Sequence, residues 1–282
     1  MKNNLYLAID IGASKIRLGV IDSIGEIYSA KTITTNVADP KKSFELLSSE
    51  IEPLKKRFRL SACGVGSPGP LDLKKGIIVL APNMDKWNGL NLIDEFKRLT
   101  RLPVFLDRDG NNALRGERWL GQLRGIKNGL MLTWGSGVGG SVMIDGQIFY
   151  GTQGLAGELG HIIVNSDGSD CPLGHKGCLE SFIGGKAIEK KYGFTLAEIC
   201  QQARDKKSSA LQIVDQISCY LGQAIETYIQ IFDPQRIVIG GAVSHSANIF
   251  IKNFNTDLIS VSALGSDAGI FGSAVLAMEN KR

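Results

Sequence analysis

Twice in this chain an apolar strand runs into a short glycine-rich break and returns at once as a second strand. The first break, Gly12-Ala13-Ser14, separates residues 5–10 from 15–21; the second, Gly135-Ser136-Gly137, separates 129–134 from 140–144. Strands joined so tightly can only pair antiparallel. After each pair come further short apolar runs and segments with helical spacing. Each half therefore has to build its own mixed sheet covered by helices. At 282 residues the chain also exceeds what one hydrophobic core usually serves. The expectation is an α/β protein of two lobes, residues 1–115 and 116–282, with a cleft between them.

Within the first lobe a third strand is expected near 26–33 and an amphipathic helix over 43–59, where Phe44, Leu46, Leu47, Ile51 and Leu54 fall at helical spacing. Pro53 should kink or break that helix. Extended segments return at 62–65 and 104–106, with a helix near 92–99 between them. In the second lobe Asp145-Gly146 marks a hairpin turn into 147–150. The longest helix spans 208–232, with Leu211, Val214, Ile217, Leu221, Ile225, Tyr228 and Phe232 on one face and Asp233-Pro234 as its stop. A buried strand at 236–239 leads into Gly240-Gly241. The last helix, including 273–278, is a candidate to pack back on the first lobe.

Composition excludes several classes. The net charge of +4 is spread along the chain, and its densest basic cluster, Lys55-Lys56-Arg57, is a solvated helix face rather than a nucleic-acid surface. Five cysteines, an odd number in a large chain without a signal peptide, argue against a disulfide framework. No apolar stretch is long enough to span a bilayer. No membrane partner is expected, and a reducing cytoplasm is the expected location.

Four segments carry chemistry. Asp10, Gly12, Ser14 and Lys15 put a carboxylate at a strand end, where it can hold magnesium, before small residues whose N–H groups can wrap phosphate oxygens; a plain hairpin turn would look the same. Gly135, Ser136 and Gly137 form a second such edge, neither a Rossmann fingerprint nor a Walker loop, because no helix and no Gly-Lys-Ser/Thr follow. Asp107-Arg108-Asp109-Gly110-Asn111 places acid where a strand ends and a helix begins. Asp109 is there either a helix cap or a base for an attacking hydroxyl. Finally His161, Cys171, His175 and Cys178 have the donor character of a zinc site, or are buried structural thiols beside satisfied histidines.

In this order the segments resemble the ROK family of repressors and sugar kinases, with the two-lobed actin-like ATPase (ribonuclease H-like) fold, over essentially the whole chain. Asp10-Ile11-Gly12-Ala13-Ser14-Lys15 resembles its first phosphate motif, the segment 133–140 its second, and Ile237-Val238-Ile239-Gly240-Gly241 its adenosine-side motif. Gly66-Ser67-Pro68-Gly69-Pro70 and Ala81-Pro82-Asn83 resemble its sugar-side loops. Asp109-Gly110-Asn111 resembles the catalytic segment, which implies Asp109 as general base. The resemblance also implies sugar contacts from Gly69, Asn83, Arg108, Asn111, Glu158, His161 and Glu180, with ATP and magnesium as cofactors and a homodimer as the assembly. The implied reaction is phosphorylation of a glucose-like hexose, or alternatively an N-acetylmannosamine or N-acetylglucosamine, at a primary hydroxyl.

Two positions depart from the family. Its zinc pattern, Cys-x-Cys-Gly-x-x-Gly-Cys after a His, has Leu173 at the middle Cys, leaving His161, Cys171 and Cys178, with His175 as a substitute. Arg108 stands where the family has Asn before the catalytic Asp. It either alters the acceptor or weakens the site, or it points away and pairs with Asp107 or Asp85. The repressors of the family carry a helix-turn-helix ahead of the first phosphate motif, for which the nine residues before Asp10 leave no room.

Overall fold

A computed structural model describes the chain apart from residues 1–3, 82, 172–173, 253, 255–256 and 281–282. It divides into two compact units, the first comprising Met1–Leu120, Gly151–Leu155 and Asp267–Arg282, the second Gly121–Tyr150 and Ala156–Ser266.

The first unit opens with β1 (Leu5–Ile11), β2 (Lys15–Asp22) and β3 (Ile27–Thr34), followed by α1 (Pro40–Arg57), β4 (Leu60–Ser67), a small β5–β6 ribbon (Leu71–Asp72, Ile77–Ile78), α2 (Leu92–Thr100), β7 (Val104–Arg108) and α3 (Asp109–Leu120). Its sheet runs β3-β2-β1-β4-β7, antiparallel as far as β1 and parallel beyond it. β1 is central and covered on both faces, so Leu7, Ala8 and Ile9 are wholly buried rather than alternating. On α1, Asp39 caps the N-terminus, Pro40 takes the first turn, and Phe44, Leu47, Ile51 and Leu54 form the buried stripe. Pro53 does not break it: the residue stands on the exposed face, where the carbonyl it leaves unpaired can turn to water.

The second unit repeats the plan. Its sheet uses β8 (Gly129–Trp134), β9 (Val138–Ile144), β10 (Gln147–Ile148), β11 (Arg236–Gly240) and β12 (Ile259–Val261) in the order β10-β9-β8-β11-β12, again with the antiparallel pairs first and the parallel pairs after. Helices α4 (Leu179–Ile183), α5 (Gly185–Tyr192), α6 (Leu196–Arg204), α7 (Ser208–Phe232) and α8 (Asn248–Ile251) complete it. β9 begins at Val138, two residues earlier than its sequence implies, so the glycine turn is only Gly135-Ser136-Gly137. α7 ends at Asp233, whose left-handed backbone (φ 40°) closes the helix before Pro234. Among the described residues no helix is long and apolar enough to cross a membrane.

The chain returns to the first unit as α9 (Ala268–Asn280), buried over most of its length. It crosses α3 so closely that a side chain at Gly116 would strike the Ala268 carbonyl, and one at Gly272 the Asn112 carbonyl. Ser273, beside that crossing, donates to the Ile9 carbonyl of β1 (2.8 Å) and accepts from Asn112 Nδ2 of α3 (2.9 Å). Gly272→Ala is expected to cost about 2 kcal/mol or more, because backbone on the facing helix cannot retreat as a flexible side chain would. A lowered urea midpoint checks it.

Candidate active site

In the first unit, Asp10, the last residue but one of β1, lies directly opposite Arg17 of β2, which is itself ion-paired to Asp267 just ahead of α9. The carboxylate of Asp10 lies against Gly269 in the first turn of α9, where any Cβ would collide with it. The turn that follows is closed by Gly12 N–H to the Lys15 carbonyl (3.0 Å) and pinned from β3's end by Thr35. The hydroxyl of Thr35 donates to the Gly12 carbonyl (2.7 Å) and its N–H to the Ser14 carbonyl (3.2 Å). A trans peptide directs its N–H opposite to its carbonyl, so the Ala13 N–H faces away from Thr35. Ser14 and Lys15 are exposed on the turn. Asp22 serves the fold instead: its Oδ1 accepts from Ile24 and Glu26 N–H in the β2–β3 turn.

The corner between β7 and α3 separates two carboxylates that look alike in sequence. Asp107 is 1% exposed, and it accepts from Arg108 N–H (2.7 Å), Asn111 Nδ2 (2.8 Å) and Arg115 Nη1 (2.6 Å). Asp109 opens α3, is half-buried, and accepts from Gly110 N–H (2.7 Å). Burial first, and then the nearby charge of Asp109, push the Asp10 carboxyl up to about 7, against the opposing pull of Arg17 and Lys15. A carboxylate such as Asp10, disfavoured as an anion until a cation offsets its charge, is the kind of hard oxygen donor that magnesium takes.

Arg108 is buried, with Nη2 on Asn111 Oδ1 (3.3 Å), and Arg115 Nη1 lies on Asp107 Oδ2 (2.6 Å). Asn111 is fully buried, its carboxamide spanning Asp107 and Arg108. Among the sugar-side loops Gly69 is half-buried and Asn83 exposed, while Pro82 lies outside the described residues.

In the second unit the turn Gly135-Ser136-Gly137 is gripped from behind. Gly185 N–H donates to the Gly135 carbonyl and Lys186 N–H to the Ser136 carbonyl, both at 2.9 Å. By the same trans geometry the N–H groups of Ser136 and Gly137 point away from α5, two donors on one side, as an anion requires. Gly241 (φ 85°) turns tightly against the Trp134 backbone, so Gly240-Gly241 and the glycine turn are neighbours within the unit. Glu180 Oε2 accepts from Val138 N–H (2.7 Å). Glu158 and His161 flank the single helical turn Leu159–His161.

His161, Cys171, His175 and Cys178 converge, their donor atoms all within 4.8 Å of one another. His161 Nδ1 lies 3.2 Å from Cys171 Sγ, and the His161 and His175 rings meet edge to face at 6.1 Å. His175 Nε2 is buried with no hydrogen-bond partner among the described residues. Leu173 lies outside the described residues. Burial disfavours the charged imidazole of His161, but its hydrogen bond with Cys178 and the charges of Glu180, Cys178 and Glu158 outweigh this and raise its pKa. Cys178 mirrors it: burial raises the thiol, and hydrogen bonds from His161, Ser181 and Cys171 bring it below its ordinary value. Two sulfur and two imidazole donors, one of them orphaned, fit a tetrahedral zinc ion.

Thr35, Arg115, Ser273 and the paired amides of Gly185 and Lys186 went unnoticed in the sequence. Thr35, Ser273 and the two amides act across long stretches of chain, and Arg115 reaches from α3 back to β7, so none leaves a local pattern. The raised Asp10 carboxyl has a consequence for stability. Between pH 4 and 7 the unfolded chain has released that proton while the folded chain holds it, so metal-free protein loses stability as pH rises through this window. The melting temperature of the Asp10→Asn variant should fall less than that of the parent across the same range.

The ROK family model matches residues 6–280. A glucokinase of Halalkalibacterium halodurans is 31% identical over 324 aligned residues, spanning 100% of this chain and 97% of the relative. A glucokinase of Thermotoga maritima is 30% identical and spans 97% of each. The crystal structure of a ROK family glucokinase from Streptomyces griseus, in complex with glucose and AMPPNP, superposes with a TM-score of 0.86 at 25% identity, covering 98% of this chain and 100% of that one. By its full length, and not by one motif, the chain belongs to the ROK family and has its actin-like ATPase fold.

Proposed function

We infer that this chain, an ATP-dependent sugar kinase, phosphorylates a glucose-like hexose at its primary 6-hydroxyl with Asp109 as general base. The observation that supports the reading is the place of Asp109, half-buried at the start of α3 and near enough to Asp10 for its charge to be felt there. A neutral hydroxyl is a poor nucleophile, and a carboxylate held at the first turn of a helix can orient it and accept its proton. Asp107 is a poor candidate, since backbone, amide and guanidinium donors already occupy it. Asp10 is the carboxylate placed to hold magnesium, which when bound supplies charge neutralisation at the phosphates.

The first unit contributes Asp10, the turn at Gly12, Ser14 and Lys15, and the base; Gly69, Asn83, Arg108 and Asn111 are its acceptor-side residues. The second contributes the amides of the 135–137 turn toward phosphate and Gly240-Gly241 toward adenosine; Glu158, His161 and Glu180 are its readers of sugar hydroxyls. With His161 Nδ1 facing the thiols, the opposite ring nitrogen is the one left to reach a hydroxyl. Cys171, Cys178, His161 and His175 would hold zinc, which when bound clasps this loop. The two full-length glucokinase relatives support glucose over the N-acetylated sugars.

An ADP-release assay with magnesium-ATP and a panel of glucose, mannose, fructose, N-acetylglucosamine and N-acetylmannosamine tests the acceptor; glucose should win, and an N-acetylhexosamine winning would replace it. Asp109→Asn is expected to lower kcat by about 10²- to 10⁴-fold while glucose still binds in calorimetry. Retained turnover would remove Asp109 from its role. Metal analysis should find about one zinc per chain, and His175→Ala should lower that content and the melting temperature together.

A further inference from the structure

Glu180, proposed above as a reader of sugar hydroxyls, makes a different contact in this structure. It sits two residues past Cys178, in the first turn of α4, and its carboxylate reaches the other way, onto the glycine turn between β8 and β9. Oε2 takes the Val138 N–H at 2.7 Å, and the carboxylate lies so close over Gly137 that a Cβ there would overlap it. Oε1 has no hydrogen-bond partner among the described residues. Behind Glu180 the chain keeps to the turn. Ile183 presents its carbonyl to Trp134 Nε1 (2.8 Å), and Gly185 and Lys186 donate to the Gly135 and Ser136 carbonyls. Gly184 and Gly185 lie flush on it, since side chains there would meet the Glu180 and Gly135 carbonyls respectively. At its start the same strap is fixed to the Cys/His loop, through Leu179 N–H to the Ile162 carbonyl (3.0 Å) and Val164 N–H to the Gly177 carbonyl (2.9 Å).

We propose that Glu180 is a positioning residue for the nucleotide-side turn, holding with one oxygen the turn whose Ser136 and Gly137 amides receive phosphate, and leaving the other oxygen for the acceptor. A single carboxylate then links the acceptor-reading loop to the phosphate turn inside one unit. The proposal rests on the reading of 135–137 as a phosphate turn. It separates two properties a purely sugar-binding Glu180 would not. Removing the carboxylate weakens nucleotide binding even with no sugar present. Replacing it by an amide, whose oxygen still accepts from Val138, spares the nucleotide while altering the sugar contact.

The test uses the full-length chain without sugar, titrated with AMPPNP and magnesium by calorimetry, with amide hydrogen exchange read over 134–138. In the parent, AMPPNP should protect these amides. Glu180→Ala should speed exchange at Val138 and weaken AMPPNP about tenfold, the effect of losing one charge-assisted hydrogen bond. Glu180→Asp, milder on the fold, withdraws the carboxylate from Val138 and should give the same loss. Glu180→Gln should stay within about threefold of the parent for AMPPNP while its KM for the sugar rises. If Ala and Asp variants raise only the sugar KM and leave AMPPNP binding and Val138 exchange unchanged, the positioning role is overturned. If the parent itself shows no nucleotide-dependent protection over 134–138, the phosphate turn fails first, and the proposal falls with it.

Discussion

Two carboxylates that would rather be apart, Asp10 and Asp109, set the terms for the first unit. Burial and the charge of Asp109 both disfavour the ionised form of Asp10, and the scaffold holds the carboxyl in place regardless. The scaffold answers with close backbone packing. Glycines at 116 and 272 let α3 and α9 touch, Ser273 ties α9 to β1 and α3, and Arg17 sits across from Asp10 as partial compensation. Asp107, two residues earlier on β7, takes Arg115 and Asn111 and so ties the strand to the start of α3 beside Asp109.

The second unit solves a related problem with backbone instead of charge. Both sheets follow the same strand order, and both place a short glycine turn at the end of the first hairpin. What differs is how the turn's carbonyls are occupied, which decides where its amides point. In the first unit one threonine, Thr35, does this; in the second, the start of α5 does.

The sheets, the long helices and both turns were legible because each is written locally, in apolar runs, glycine breaks and helical spacing. The site was legible as a set of residues and not as an arrangement. Asp107 and Asp109 differ in sequence by nothing that reveals which is occupied by Arg115, a contact made only once α3 has formed. Arg108 could be read as an intruder among sugar ligands or as a partner of Asp107. Its guanidinium on Asn111, with Arg115 at Asp107, comes from side-chain directions that spacing does not carry. Pro53 misled for a similar reason: spacing does not say whether the carbonyl an interior proline frees can reach water, and on this exposed face it can. The short helices α4 to α6 were unseen, since five to nine residues scarcely establish a period.

The different grips on the two turns leave them unequally open to evolutionary change. At position 35 most single substitutions delete the hydroxyl that holds the Gly12 carbonyl, leaving only the main-chain N–H on the Ser14 carbonyl. The grip on Gly135 and Ser136 is made by main-chain amides, which every residue but proline possesses. At 185 it is the bulk of a side chain, not the loss of a donor, that is forbidden; at 186 almost any residue serves. Drift in sequence can therefore erode the first turn one mutation at a time, whereas the second is anchored by a feature that descends unchanged through nearly any replacement at 186.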